Sequence, residues 1–329
     1  MRFLKGLVKA LFSIVFAVAI LIALLNVAKH AVFFEFYSTA ESAGEIPGLY
    51  DGFVMQGLDS YEGGLLVSGY MTDKSASRIY YGDGATGYKY TALKKTDGSA
   101  FKGHSGGIAH NGDYLYIGGS GGVYVFSLTD VTDGDGEATQ LGFFETLLNA
   151  AWCEVSGGHL IAGSFWYEPD YTTAEWQHVT TPAGEENHSM IVAFALDPTC
   201  ELGVNPEPVC AISTKMKVQG AAFTSDGIIL STSLGLSASQ LEFHTIDPST
   251  RGSIVVPMGD SSRTVDLYYL DSSTLAHTIS APPMAEEIVV LDGRILIMNE
   301  SASSKYIFGR FLGMECLYSI EYKESYFEK

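Results

Sequence analysis

Gln56-Gly57-Leu58-Asp59-Ser60-Tyr61-Glu62-Gly63-Gly64-Leu65-Leu66-Val67-Ser68 is the stretch that decides the fold. A small polar start, about five alternating residues, a Gly turn and an apolar strand spell a β-hairpin. Gly, Asn and Asp take the positive φ of a tight turn at little cost, and short apolar runs bounded by turns suit strands. The phrase starts again at Ser105-Gly106-Gly107, Ala150-Ala151-Trp152, Gln219-Gly220-Ala221 and Ala285-Glu286-Glu287, and its turn comes at a constant offset, at Gly64, Asp113, Gly158, Gly227 and Gly293. Successive starts lie 49, 45, 69 and 66 residues apart, room for four strands and their loops. Repetition on this scale marks a propeller, a solenoid or an array, and five copies predict an all-β chain folded as a five-bladed β-propeller. Residues 247–282 hold further strand, at Ser253-Ile254-Val255-Val256 and Val265-Asp266-Leu267-Tyr268-Tyr269-Leu270, enough for an inserted hairpin or a sixth blade.

A second echo, Ser75-Ala76-Ser77, Ser237-Ala238-Ser239 and Ser301-Ala302-Ser303, falls after a variable loop in three copies. Its hydroxyls are expected to bond nearby backbone before a third strand begins. The 36 Gly, 18 Phe, 19 Tyr and 3 Trp, set against 17% charged residues, agree with a β-rich fold of 329 residues. A propeller ring is one domain despite such a length, and its core needs no staples.

One segment is of another kind. Residues 10–28 carry no charge and can span a bilayer as a signal anchor, behind a basic tail of residues 1–9 with Arg2, Lys5 and Lys9. The positive-inside rule then predicts a single-pass protein of the cell membrane with a cytoplasmic N-terminus and an extracellular remainder. Cuts after Ala28 or Ala31 would place Asn26 or Lys29 at −3, where signal peptidase wants a small residue, so the anchor is expected to stay uncleaved. Residues 29–49 are a juxtamembrane segment with a possible closing strand, and 50–329 the propeller. An array closed into a ring must pair its two edges, and Val32–Tyr37 with Cys316–Tyr322 are the expected partners.

Four of the 19 basic residues and none of the 38 acidic ones precede residue 31, which leaves 15 against 38 outside the membrane, a formal −23. Such a surface repels nucleic acid and anionic lipid, so no nucleic-acid partner is expected; the membrane is met through the helix, and the extracellular ligand or protein partner is not named by charge. Cys200 and Cys210 flank a loop that could bring them into bridging range, whereas Cys153 and Cys316 read as buried free thiols. No cysteine pair has zinc-site spacing.

Strand direction sorts the rest. The tight turns share one face of the disc, and the variable connections and the inner-strand starts share the other, the loop face. Those starts are polar: Gln56, His104, Asn149, Gln219 and Glu286 beside Glu287. Adjacent residues on a strand point to opposite sides, so only one of the two glutamates is expected in the channel. Between residues 164 and 190 runs the largest insertion, with Trp166, Tyr171 and Trp176, an aromatic and acidic loop suited to sugar rings or cations. These eight residues form the candidate ligand-binding set, without a catalytic or metal-ligating assignment. Asp133-Gly134-Asp135-Gly136-Glu137 lacks the ligand spacing of a calcium loop, and Gly118-Gly119-Ser120-Gly121-Gly122 lacks the strand-to-helix setting of a nucleophile elbow.

The stretches His104-Ser105-Gly106-Gly107-Ile108-Ala109 and Pro282-Pro283-Met284-Ala285-Glu286-Glu287, with the hairpins that follow, resemble blade starts of bacterial exported β-propeller proteins over most of residues 50–320. Propellers of the gluconolactonase and strictosidine-synthase type hold a channel calcium with a Glu and Asn residues. That resemblance implies Glu286 and Asn149 in this role, although the further Asp of the pattern has no counterpart here, where the other starts offer Gln and His. The expected function is ligand or partner binding on the loop face, of a glycan or cell-envelope component, without a cofactor. A hydrolase or lactonase with calcium in the channel is the alternative, and a structural role in envelope assembly is a third.

Overall fold

The five expected hairpins exist, and each supplies the two innermost strands of one blade. The computed structural model describes residues 2–83, 87–306, 309, 313–314 and 316–329. Blade 1 runs outward from the axis through Phe53–Tyr61, Gly64–Met71, Arg78–Asp83 and Gly87–Lys94, and blade 2 through Ile108–Asn111, Tyr114–Gly119, Gly122–Ser127 and Gly142–Glu145. Blade 3 is Ala150–Ser156, His159–Ser164, Ser189–Leu196 and Val204–Thr214; blade 4 is Val218–Phe223, Ile228–Thr232, Ser239–His244 and Leu275–Ala281. Blade 5 begins with Ala285–Leu291 and Arg294–Asn299. The innermost strands touch in cyclic order, blade 5 against blade 1 included, which makes the ring a five-bladed β-propeller. Five apolar clusters hold it together, one between each pair of neighbouring blades.

Turn chemistry explains the hairpins locally. Glu62-Gly63, Gly157-Gly158 and Asp292-Gly293 each place two successive residues at positive φ, the conformation whose twist matches the flanking strands. In blade 1 the left-handed glycine is therefore Gly63, and Gly64 already belongs to the second strand.

Several expectations are corrected. Of the two readings of residues 247–282, the sixth blade is set aside and the inserted hairpin holds: Gly252–Met258 and Ser261–Tyr269 form it, its second strand pairs in parallel with Val204–Thr214, and blade 3 is widened to six strands. Glu137–Thr139 likewise adds a parallel strand to blade 1. Cys200 and Cys210 are not bridged, and all four cysteines are free thiols. Their intervening chain is mostly strand, because Val204–Thr214 extends from just after Cys200, and six extended residues span roughly 20 Å where a disulfide allows under about 7 Å. Hydroxyls of two Ser-Ala-Ser copies stitch blades together instead of bonding local backbone, while Ser301 Oγ stays within blade 5, on Asn299 and Met314 O. Ser77 Oγ donates to Gly103 O (2.8 Å) on the way to blade 2, and Ser239 Oγ accepts from Ala285 N (3.0 Å) at the start of blade 5.

Ring closure uses Leu317–Glu321 as expected from the C-terminal end, but its partner is Glu41–Gly44, paired antiparallel from Glu41 opposite Ser319. Val32–Tyr37 is helical. Helix α1, Arg2–Val32, passes almost directly into a second helix, α2, Phe34–Thr39, with Phe33 N to Lys29 O and Tyr37 N to Phe33 O bonds of 3.0 Å bridging the joint. The apolar run could serve either element, and the helix wins because it seats Phe33 and Phe36 in the core between blades 4 and 5. Lys5–Val32 is long and apolar enough to cross a membrane. Its last turn touches the propeller: Lys29 is buried and its Nζ donates to Gly313 O (3.2 Å) in the connection between the second and third strands of blade 5.

Candidate functional site

The inner strands are not regular. Blades 1, 3, 4 and 5 each carry an extra residue on the innermost strand, between Met55 and Gly57, Ala150 and Trp152, Val218 and Gly220, and Ala285 and Ile288. A bulge of this kind breaks the two-residue alternation and re-aims side chains. Glu286 and Glu287 consequently both reach the axis, against the expectation that only one would.

Glu286 meets Glu300 in a hydrogen-bonded carboxyl pair, with Gln219 Nε2 donating to Glu286 Oε1 (3.4 Å) and Gln56 Nε2 to Glu300 Oε2 (3.0 Å). Burial, then the charge of Glu300, pushes Glu286 well above the usual carboxylate range, and burial raises Glu300 as well. Gln56, Gln219 and Glu286 are therefore brought together at the loop-face end of the channel. Glu287 lies deeper. Its Oε2 accepts from Leu58 N (2.7 Å) in blade 1 and Ile108 N (2.9 Å) in blade 2; desolvation still lifts its pKa well above normal despite these two donors. The fit needs glycine on two other blades, since a Cβ on Gly107 would stand 2.4 Å from Glu287 Oε1 and one on Gly220 2.6 Å from its Cα. Toward the turn face, Asp59 pairs with His110 Nδ1 at 2.7 Å, and Glu154 accepts from Phe223 N at 3.2 Å. Burial pushes Glu154 up to about 8. Hydrogen-bonded side chains thus cross-link the blades along the axis.

His104 and Asn149 sit elsewhere on the loop face. Each precedes the first residue of its inner strand, Ile108 or Ala150, so it lies in a connection and not at the axis. Asn149 Oδ1 accepts from Gly121 N (3.0 Å) and Ser120 Oγ (3.3 Å), on the edge of a cavity of about 330 Å³ between blades 2 and 3 that the insertion walls with Thr173, Ala174 and Gln177. His104 stacks on Tyr70 with centroids 5.1 Å apart, at a second pocket over blade 1. In the insertion, Trp166 packs edge-on against His188 (4.4 Å), Trp176 is half-buried against the blade 3 core, and Tyr171 is exposed beside Phe165. Neither tryptophan lines the cavity that the insertion walls.

Sequence reasoning overlooked Glu300, Glu154, Asp59 and His110. Asp59, Glu154 and His110 lie inside innermost strands, where a charged side chain needs a partner in the channel or across it; that signal was available. Glu300 follows the second strand of its blade, and no pattern in the sequence points it to the axis.

The calcium implied by the resemblance finds no fitting donor set. Glu287 Oε2 is occupied by two N–H donors, Glu286 is tied to Glu300, and Asn149 lies apart from both with its oxygen engaged. Among the described residues no group of three or more His, Cys, Asp or Glu side chains is placed to hold a metal ion.

No family model matches the chain, and no curated protein sequence does. Fold and site define its class as a five-bladed β-propeller with an N-terminal apolar helix. Among solved structures it is similar to a glucose dehydrogenase at 12% identity and a TM-score of 0.40, over 87% of this chain and 100% of that one. It is also similar to a putative gluconolactonase at 13% identity and a TM-score of 0.32, over 86% and 91% of the two chains. A calcium-binding protein, regucalcin from Agrobacterium tumefaciens str. C58, matches at 10% identity and a TM-score of 0.39, over 85% and 92%. Likeness of this degree carries no argument about activity or ligand.

Proposed function

We propose that the protein is a membrane-anchored propeller that binds an extracellular ligand on its loop face. One observation carries this reading: side chains hydrogen-bonded from blade to blade occupy the axis, Glu287 joining blades 5, 1 and 2, while the pockets at Asn149 and at His104 open among the loops. The axial carboxyls act as structure in this reading, since Glu287 Oε2 accepts from backbone N–H groups of two other blades and Glu154 from Phe223 N of the next blade, which fixes those blades against one another. Binding is the work of Asn149, His104, Tyr171 and the insertion, on a face whose connections vary in length and so accept varied ligands.

Helix α1 supplies the anchor, with its N-terminus in the cytoplasm by the charge of Arg2, Lys5 and Lys9. The burial of Lys29 against blade 5 supports an uncleaved anchor, because the helix end is part of the propeller's packing.

The test is hydrogen exchange on the full chain in zwitterionic nanodiscs, challenged with a panel of sugars, envelope glycan fragments, nucleotides and phosphorylated metabolites. Binding should protect residues 72–77, 102–104, 145–149 or 165–178 and leave the turns at Gly63, Gly158 and Gly293 unchanged. Calcium-dependent lactone hydrolysis lost in Glu286→Gln would replace this reading with the hydrolase.

A further inference from the structure

Lysine is scarce outside the anchor, and it is not evenly spread. The pocket over blade 1, about 560 Å³, is lined by Lys74, Lys102, His104 and Lys305 together with Tyr70 and the hydroxyls of the Thr72–Ser77 connection. Three separate segments supply them: the second-to-third connection of blade 1, the link into blade 2 and the second-to-third connection of blade 5. No Asp or Glu lines it among the described residues. Beyond residue 30 the chain has 38 acidic and only 15 basic side chains, so three lysines meeting without an acid run against the whole surface. Like charges converge at a Coulombic cost that a bound anion offsets.

One of the cations is also held in place. Lys305 Nζ donates to the Tyr70 hydroxyl and lies 4.9 Å from the centroid of that ring and 4.8 Å from that of Tyr306. His104 stacks on the same Tyr70. Lys74 has positive φ (63°), a conformation sparsely populated by residues with a side chain, while its N–H bonds Met71 O at 3.1 Å. The nearby carboxyls are engaged. Asp73 Oδ1 accepts from Ser75 N (2.9 Å), and Glu300, outside the lining, is buried in its pair with Glu286 while also feeling the charge of Lys305. A cation fixed before binding loses less freedom when the ligand arrives.

We infer that this pocket binds a phosphate group. Lysine meets phosphate as a point charge, and the pocket offers three lysines and no arginine, a set suited to a compact, multiply charged anion. A phosphate monoester carries nearly two negative charges at neutral pH, enough to offset the cluster. The inference rests on the loop-face reading and narrows it to one pocket and one ligand class. The phosphate belongs either to a soluble phosphorylated molecule or to a lipid headgroup; the connection that supplies Lys305 also supplies the Gly313 carbonyl that holds Lys29 at the end of α1.

The experiment titrates inorganic phosphate into the full chain in zwitterionic nanodiscs, read by calorimetry. Saturable binding that weakens with salt is expected, at least about tenfold weaker in Lys102→Ala/Lys305→Ala, with Lys89→Glu on the exposed outer strand of blade 1 binding as wild type and all variants melting alike. A second arm uses nanodiscs containing phosphatidic acid. If the source is a headgroup, added phosphate binds wild type more weakly there than in zwitterionic discs; if it is soluble, the two discs give the same affinity. Absence of saturable binding, or equal binding by the double variant, overturns the phosphate assignment. In that event, a ligand from the exchange screen that still protects residues 145–149 or 165–178 leaves the loop-face reading standing, and protection confined to the turn face sinks both.

Discussion

Glu287 in blade 5 and Ile108 in blade 2 are joined by a 2.9 Å hydrogen bond, although 179 residues separate them and their blades are not neighbours in the ring. The same carboxylate oxygen takes Leu58 N of the intervening blade, so one side chain ties three of the five blades. Removing it should loosen the ring as a whole. Glu287→Ala leaves two buried N–H groups without acceptors and is expected to cost about 2–6 kcal/mol, whereas Glu287→Gln keeps an acceptor and should cost less than about 1.5 kcal/mol. Equal melting temperatures for the two variants would show that the bonds do not matter.

Acidity should act through the same axis. Glu154 titrates near 8 in the folded chain because it is desolvated, against about 4.5 when unfolded. The folded state therefore binds its proton more tightly, and the stability this contributes is fully present below about pH 4.5 and lost as pH rises toward 8. Glu154→Gln should remove that slope, so that the variant gains on wild type across the window. Parallel stability curves between pH 5 and 8 would contradict the assignment.

The seat of the N-terminal helices on the propeller rests on Phe36, which is fully buried between blades 4 and 5. Phe36→Ala should destabilise the domain by about 3–5 kcal/mol, lowering its melting temperature by roughly 5–10 °C. A melt unchanged from wild type would mean that α2 does not belong to the core.

Thiol counting checks the absence of a bridge. The unfolded chain, without reductant, should show all four cysteines reactive, Cys153 only after unfolding because it is buried in the fold. A count of two would establish a disulfide.

For the insertion, Trp166→Ala should weaken capture of a loop-face ligand by ~2 kcal/mol, as aromatic anchors do, and Glu286→Gln should leave it within about twofold. Isothermal titration with a ligand from the screen decides, and the reverse pattern would favour chemistry at the axis.

How much of this was legible depends on the range over which each feature is encoded. The hairpin around Glu62-Gly63 and its four counterparts are written in about ten residues apiece, because turn conformation and strand alternation are local matters, and the apolar helix before Lys29 is equally plain. Glu41–Gly44, by contrast, reads Glu-Ser-Ala-Gly and carries no strand signal of its own; the free edge of Leu317–Glu321 makes it a strand. Val32–Tyr37 has the apolar run that suits a strand, and becomes helix because burying Phe33 and Phe36 between two blades outweighs pairing.

The sequence by itself determined the blade hairpins, the apolar N-terminal helix and the lopsided charge, since these depend on residues close together in the chain or on a sum over all of them. Tertiary structure alone decided the functional geometry. A one-residue bulge turned both Glu286 and Glu287 to the axis, where strict alternation allows one. Closure of the ring brought Lys305 of blade 5 to Lys74 and Lys102, more than 200 residues earlier in the chain, and left His104 and Asn149 on the rim. Which side chains meet across a closed ring is fixed by the packing of whole blades, and no short stretch of sequence holds that information.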